Sequence, residues 1–294
     1  MIKFAYFLLY FIIFQILLAI FTQFFGIFYF WVVLPANLFF ILALLYVSLR
    51  GGSQADAAIQ SHPKPHPKPL GLTLGLTLKP QRLKADWVFF AVAIISVLTL
   101  YQVHYNYSGE YGMVNDRLFQ YRQAKNMQYV YPYFSDEWYA VSLVKESINS
   151  HSLPLKNPFD NSFFPNLEIF FHSFIAEIML LFKLDPLTQY AVLSIFFNAL
   201  IIVLAYLLLR INNVSKFSSA AASLSILYIA SSSNLPGIWN LLPFTMGIIL
   251  FLIGGCFFAE KNIKMTMLSF LFGALFYPPL IIFFTLPLLF NPRG

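Results

Sequence analysis

The sequence predicts an all-α membrane protein: a polytopic helix bundle of about seven spans, with one outer loop that carries amphipathic or interfacial helices. Of its 294 residues, 59% are hydrophobic and only 10% are charged, whereas charged residues make up about a quarter of a soluble protein. Long apolar segments are interrupted by one polar stretch, residues 105–166. A water-soluble fold is excluded, because it has no way to bury so much apolar surface.

Seven apolar stretches are candidates for crossing the bilayer, which takes about 20 residues. They are residues 4–22, 27–48, 87–105, 188–209, 218–233, 237–258 and 265–290. The stretch 218–233 contains serines among its alanines, and such small residues favour close packing against other helices. The last stretch contains Pro278-Pro279 and is predicted to kink or break there.

The chain divides into three predicted parts. Residues 1–49 form a transmembrane hairpin, because the first apolar run is longer than a signal-peptide core and lacks a small-residue cleavage pattern. Residues 50–85 form a basic, proline-rich linker with a segment of extended polyproline II. Residues 86–294 form the main transmembrane core. The chain stops directly after an apolar segment, so we expect a fragment, a minimal protein or one that needs a partner subunit.

The basic residues predict the orientation of a multi-pass protein in the plasma membrane. The linker is cytoplasmic by the positive-inside rule, because it holds six basic residues: Arg50, Lys64, Lys68, Lys79, Arg82 and Lys84. The N-terminus is then cytoplasmic too, and residues 105–166 lie outside. The same rule explains the net charge of +6, so that no nucleic-acid partner is indicated.

One apolar stretch conflicts with this orientation if it crosses the membrane. An odd number of crossings must separate the outer loop from Arg210, which favours the inside, yet two stretches lie between them. The first of these, residues 167–183, carries Glu168, His172 and Glu177, which are costly in hydrocarbon. We therefore interpret it as an interfacial or re-entrant helix on the outer side. The alternative is a true span that reverses every later segment.

The polar stretch 105–166 holds six of the twelve acidic residues of the chain: Glu110, Asp116, Asp136, Glu137, Glu146 and Asp160. Within it, Ser135 is a good N-cap, and Val141, Val144 and Ile148 supply an apolar stripe for a helix from 136 to about 150. Asp136 and Glu137 then occupy the first turn. Two interpretations stay open for them: catalysis, or simple compensation of the helix dipole.

The order of these elements resembles the amino-terminal part of the GT-C glycosyltransferases. These membrane enzymes, of the protein mannosyltransferase and aminoarabinose transferase type, take a sugar from a polyprenyl phosphate. The resemblance covers about residues 86–290 and depends on Ser135-Asp136-Glu137-Trp138 together with the architecture. It departs from the family in the two spans that precede the usual start and in the abrupt carboxy-terminal end.

The resemblance implies that Asp136 or Glu137 sits at the catalytic centre. A carboxylate there would remove the proton of an acceptor hydroxyl as its oxygen attacks the anomeric carbon. The phosphate leaving group favours a nearby cation. The candidates in the outer loop are Arg117, Arg122, Lys125 and Lys156. A solvated surface charge is the ordinary interpretation for each of them.

Two further residues are candidate contacts of a substrate. His172 follows Glu168 by four positions, so that the two share a helix face, and Trp239 follows an outer turn, where membrane anchoring is the ordinary role. A third ligand at metal spacing is missing, so we expect no metal and no cofactor. Cys256 is the only cysteine, and no glycine-rich phosphate loop or His-Glu-x-x-His motif is present.

Two other functions remain open from the sequence. A transporter or flippase of lipid-linked sugars is suggested by the many spans and the polar stretch 218–233, although the internal repeats common in transporters are missing. A non-catalytic membrane subunit is suggested by the extra hairpin and the linker. The partners expected for the transferase are membrane lipid, a polyprenyl-phosphate sugar and an acceptor that the sequence does not identify.

Overall fold

The computed structural model of the chain describes residues 2–59, 86–115, 118–128, 132, 135–228 and 240–284. The fold is mostly helical. The chain divides into two compact units, of which the larger contains residues 1–29 and 87–294 and the smaller contains residues 30–86. The smaller unit is built on α2 (Phe30–Ile59), which includes Pro35. This helix continues into the predicted linker, whose residues 60–85, with the polyproline segment, lie outside the described residues.

Among the residues that the structure describes, three helices of the larger unit are long and apolar enough to cross a membrane: α1 (Ile2–Phe24), α3 (Trp87–Tyr105) and α6 (Tyr190–Ile211). These helices indicate a membrane protein. The other apolar helices are shorter, and residues 229–233 of the predicted span 218–233 lie outside the described residues. The count of seven spans and the domain bounds 1–49, 50–85 and 86–294 stay predictions.

The polar stretch 105–166, which is predicted to be the outer loop, contains a β-hairpin that the all-α prediction missed. Strand β1 (Tyr107–Asn115) pairs antiparallel with β2 (Leu118–Met127), and the register shifts between Tyr107 and Gly109. Strong β-forming residues are sparse in the two strands, which hold three tyrosines, one valine and one phenylalanine. Glycine and charged residues also interrupt a strict apolar alternation. The fold class is therefore corrected from all-α to mostly helical, with one two-stranded sheet among the described residues.

The predicted amphipathic helix of the outer loop is confirmed as α4 (Ser135–Ser150). It buries Ala140, Val141, Leu143 and Val144, which recur at the spacing of one helix face. This face packs against α5 (Ile169–Phe182), the helix predicted to be interfacial. The side chain of Ser135, the predicted N-cap, lies outside the described part of the chain.

The remaining helices of the larger unit are short. They are α7 (Lys216–Leu224), α8 (Pro243–Ala259) and α9 (Ile263–Phe276). Helix α9 ends just before Tyr277-Pro278-Pro279, and a 3-10 helix follows over Pro278–Phe284. The predicted break at the two prolines is thus observed. Helices α8 and α9 pack closely, because a Cβ on Gly254 would lie only 2.4 Å from the ring of Phe270.

Two contacts define the two ends of the larger unit. At one end, the Asn262 amide donates a hydrogen bond of 2.6 Å to the Tyr6 hydroxyl, which brings the start of α1 beside the turn between α8 and α9. At the other end, the Tyr190 hydroxyl donates a 2.6 Å bond to the Leu241 carbonyl, which joins the start of α6 to the start of α8. Helix α4 contacts this second end through Glu137.

Candidate functional site

A cavity of about 480 Å³ lies at the end of the larger unit where α4, α5 and α8 begin. Its volume falls in the range of about 300–1,000 Å³ that is usual for small-molecule sites. Four polar side chains line it: Asp136, Tyr139, Glu168 and His172. The rest of the lining consists of the apolar residues Ala140, Leu242, Pro243 and Phe244 and of Tyr277, which adds a second aromatic phenol. The cavity therefore combines titratable groups with an apolar and aromatic wall.

The two acidic residues at the start of α4 have different surroundings. Neighbouring residues on a helix point about 100° apart, and here Asp136 is exposed and lines the cavity. Glu137 is only 4% exposed, and its Oε1 accepts a hydrogen bond of 2.9 Å from the Leu241 N–H. Of the two predicted catalytic residues, Asp136 thus faces the cavity, whereas Glu137 holds α4 to the start of α8.

Glu168 is the second carboxyl group of the cavity, and sequence reasoning did not select it as a site residue. It is half-buried and directly precedes α5. Burial raises the pKa of the Glu168 carboxyl, and the negative charge of Asp136 raises it further. The pair therefore holds a proton to higher pH than an isolated glutamate would. The shared helix face of Glu168 and His172 was the one sequence signal that pointed to it.

Replacing Glu168 with glutamine is expected to stabilise the protein at about pH 8 and to leave it unchanged at about pH 4. Because the pKa in the folded state is raised above the ordinary 4.5, the folded protein binds this proton more tightly than the unfolded chain does. The protein with Glu168 therefore loses folding stability as the pH rises from the ordinary pKa of this carboxyl through its raised pKa. Thermal unfolding at both pH values tests this, and an equal shift at both would contradict it.

Asn166 fixes the orientation of the His172 ring. The Asn166 side chain is 7% exposed. Its Oδ1 accepts a 3.0 Å bond from the Glu168 N–H, and its Nδ2 donates a 3.1 Å bond to the Pro154 carbonyl. The second hydrogen of Nδ2 then points to His172 Nδ1, and the two nitrogen atoms are 3.1 Å apart. Because an amide nitrogen only donates, Nδ1 accepts, and the neutral ring carries its proton on Nε2.

Replacing Asn166 with aspartate is expected to move the proton of His172 from Nε2 to Nδ1. A carboxylate at this position accepts where the amide nitrogen donated, so the ring must present an N–H to it. Nitrogen-15 NMR distinguishes the two tautomers, and the signal is assigned with a His172→Gln variant. An Nε2–H ring that persists beside Asp at 166 would show that Asn166 does not set the tautomer.

The ring of Tyr139 is braced by two phenylalanines. It stacks on Phe159 with the ring centroids 6.2 Å apart and the planes at 17°, and Phe164 meets it edge-on at 5.9 Å. Burial raises the pKa of the Tyr139 phenol, as do the charges of Asp160 and Glu168. The phenol therefore stays protonated and is available as a hydrogen-bond donor beside the carboxylates.

The predicted phosphate-binding cations do not line this cavity where they are described. Arg122 and Lys125 lie on β2 and are exposed. Lys156 is also exposed, and its backbone pairs with that of Phe163 in an isolated antiparallel β-bridge. Arg117 and Trp239 lie outside the described residues. Within the described chain, no group of three His, Cys, Asp or Glu residues has metal-binding geometry. The expectations of a phosphate contact and of no metal or cofactor stay predictions.

The candidate site thus rests on geometry and on the short motif at residues 135–138. Comparison with protein-family models, with curated proteins and with solved structures gives no match for this chain.

Proposed function

We propose that the chain is an integral membrane glycosyltransferase that moves a sugar from a polyprenyl-phosphate donor to an acceptor hydroxyl at the outer face of the plasma membrane. The observation that carries the proposal is the position of Asp136. This exposed carboxylate lies at the start of α4 and lines a cavity beside a second carboxyl group, Glu168. An accessible carboxylate at the rim of a small-molecule cavity is suited to general base catalysis.

The proposed step needs only one base. The Asp136 carboxylate takes the proton of the acceptor hydroxyl, whose oxygen forms the new bond to the anomeric carbon. The bond from that carbon to the phosphate oxygen breaks on the opposite face, and the polyprenyl phosphate leaves with the electron pair. The sugar is transferred with inversion. Because Asp136 is exposed and lines the cavity, whereas burial and the charge of Asp136 raise the pKa of Glu168, we assign Asp136 as the base.

The orientation is part of the proposal, with the cavity outside. The basic residues Arg210 and Lys261 lie at the far ends of α6 and α8 from the cavity, which suits the cytoplasmic side. Helix α5 packs against α4, the polar helix that carries Asp136. This contact supports an interfacial or re-entrant α5.

Donor turnover by the purified protein in lipid tests the proposal. The protein is incubated with a panel of polyprenyl-phosphate sugars and a mixture of acceptors, and loss of donor and gain of product are followed by mass spectrometry. The transferase is expected to release polyprenyl phosphate and to form a glycosylated product. Intact donor across the panel would overturn the proposal, and donor that crosses proteoliposomes without covalent change would favour a flippase.

A further inference from the structure

We infer that the acceptor bound in this cavity is an uncharged carbohydrate, held on the ring of Tyr139 and by hydrogen bonds to Asp136, Glu168 and His172. The inference rests on the proposed transferase function and names the class of its acceptor. A peptide hydroxyl and an anionic glycolipid are the competing classes. The cavity distinguishes among them by its aromatic wall, by its charge and by the donors and acceptors that it presents.

The aromatic wall favours a ring-shaped ligand. A sugar ring has an apolar C–H face and a rim of hydroxyl groups, and its apolar face packs well on an aromatic ring. Tyr139 presents such a ring, and its contacts with Phe159 and Phe164 hold the ring in place. On another wall, Phe244 and Tyr277 meet edge-on with their centroids 5.3 Å apart. These aromatic walls suit the apolar face of a sugar ring better than the polar backbone of an extended peptide.

The charge of the cavity disfavours an anion. Asp136 and Glu168 line it, and no lysine or arginine is among the described residues that do so. The Asp136 carboxylate repels a carboxylate on an acceptor that is bound beside it. The same groups accept hydrogen bonds from sugar hydroxyls without a charge penalty. An uncharged acceptor therefore fits the cavity better than an anionic one.

The hydrogen-bonding groups also match hydroxyls, which both donate and accept. The carboxyl oxygens of Asp136 and Glu168 accept, and the Tyr139 phenol does both. His172 is 2% exposed and lines the cavity, and its proton lies on Nε2 because Nδ1 accepts from Asn166. The ring is thus neutral and does not attract an anion.

Ligand-observed NMR with the full chain in lipid nanodiscs tests the inference without any donor. The probes are the methyl glycosides of glucose, mannose and galactose, each beside the methyl glycoside of its uronic acid, and a blocked serine amide. We expect saturable binding of at least one neutral glycoside, and binding about tenfold or more weaker for its uronide. The blocked serine amide is not expected to displace the glycoside.

Variants assign the binding to this cavity. Tyr139→Ala is expected to weaken the binding of the glycoside about fivefold or more, whereas Tyr139→Phe keeps the aromatic ring and most of the affinity. The double variant Asp136→Asn/Glu168→Gln is expected to reduce the difference in binding affinity between the glycoside and its uronide. Glu260→Gln, an exposed carboxyl outside the cavity lining, is the matched control and leaves binding unchanged.

Three results would overturn the inference: no saturable binding by any neutral glycoside, a uronide that binds as tightly as its glycoside, or unchanged binding in Tyr139→Ala. These results are independent of turnover. Neutral glycosides that bind to a protein which never consumes donor would retain the carbohydrate site and refute the transferase. Turnover with an anionic or peptide acceptor would keep the transferase and refute the uncharged acceptor.

Discussion

Replacing Asp136 with asparagine is expected to lower sugar transfer about 100-fold or more while the protein stays folded, since a positioned general base contributes about 10²–10⁴-fold to rate. The amide keeps the shape of the side chain but takes no proton from the acceptor hydroxyl. Asp136 is exposed, so the change leaves no new buried group. Product formed per mole of protein, followed by mass spectrometry, measures the loss.

Glu146→Gln is the matched control, because it removes a carboxylate from the same helix at a position that does not line the cavity. It is expected to transfer sugar at the rate of the natural sequence. Full activity in the Asp136→Asn protein would remove Asp136 from the mechanism. Loss of the folded state in that variant, seen by size-exclusion chromatography, would make its role structural.

Replacing Glu137 with alanine is expected to destabilise the protein by about 1–3 kcal/mol, because it leaves a buried N–H without its acceptor. The Leu241 peptide is bonded on both sides: its N–H donates to Glu137, and its carbonyl accepts from Tyr190. Both bonds are in the buried interior. The apparent melting temperature in detergent is expected to fall by several degrees.

Glutamine at position 137 separates the structural role from the catalytic one. Its amide oxygen still accepts from the Leu241 N–H, so Glu137→Gln is expected to recover most of the stability that alanine loses. It is also expected to retain most of the transfer activity. If Glu137→Gln were as stable as the natural sequence yet inactive, then Glu137 would be the base in place of Asp136.

Local features of the fold were predictable from sequence, because neighbours along the chain decide them. The apolar stripe predicts helix α4, and Pro278-Pro279 predicts the end of helix α9. The hairpin β1–β2 was missed, because its tyrosines are interrupted by glycine and charged residues and no strict alternation remains. Local pattern also gave no reason for the helical continuation of α2 to Ile59.

The candidate site was predictable only in part. The motif at the start of α4 located the carboxylates, but whether Asp136 or Glu137 faces the cavity depends on Leu241, which is 104 residues away from Glu137 in sequence. Asn166 gave no signal, because its role lies in three hydrogen bonds of the folded chain. Tyr277 joins the lining only once α9 has packed on α8.

The bond between Glu137 and Leu241 also sets an order for biogenesis. Ribosomes add about 5–20 residues per second, so that the 104 residues between these partners take about 5–20 s to make. During that interval α4 has been synthesised, but the Leu241 N–H that donates to Glu137 does not yet exist. The cavity is therefore completed late in synthesis, and a nascent chain stalled before residue 241 would present Asp136 without Leu242, Pro243, Phe244 and Tyr277 of the lining.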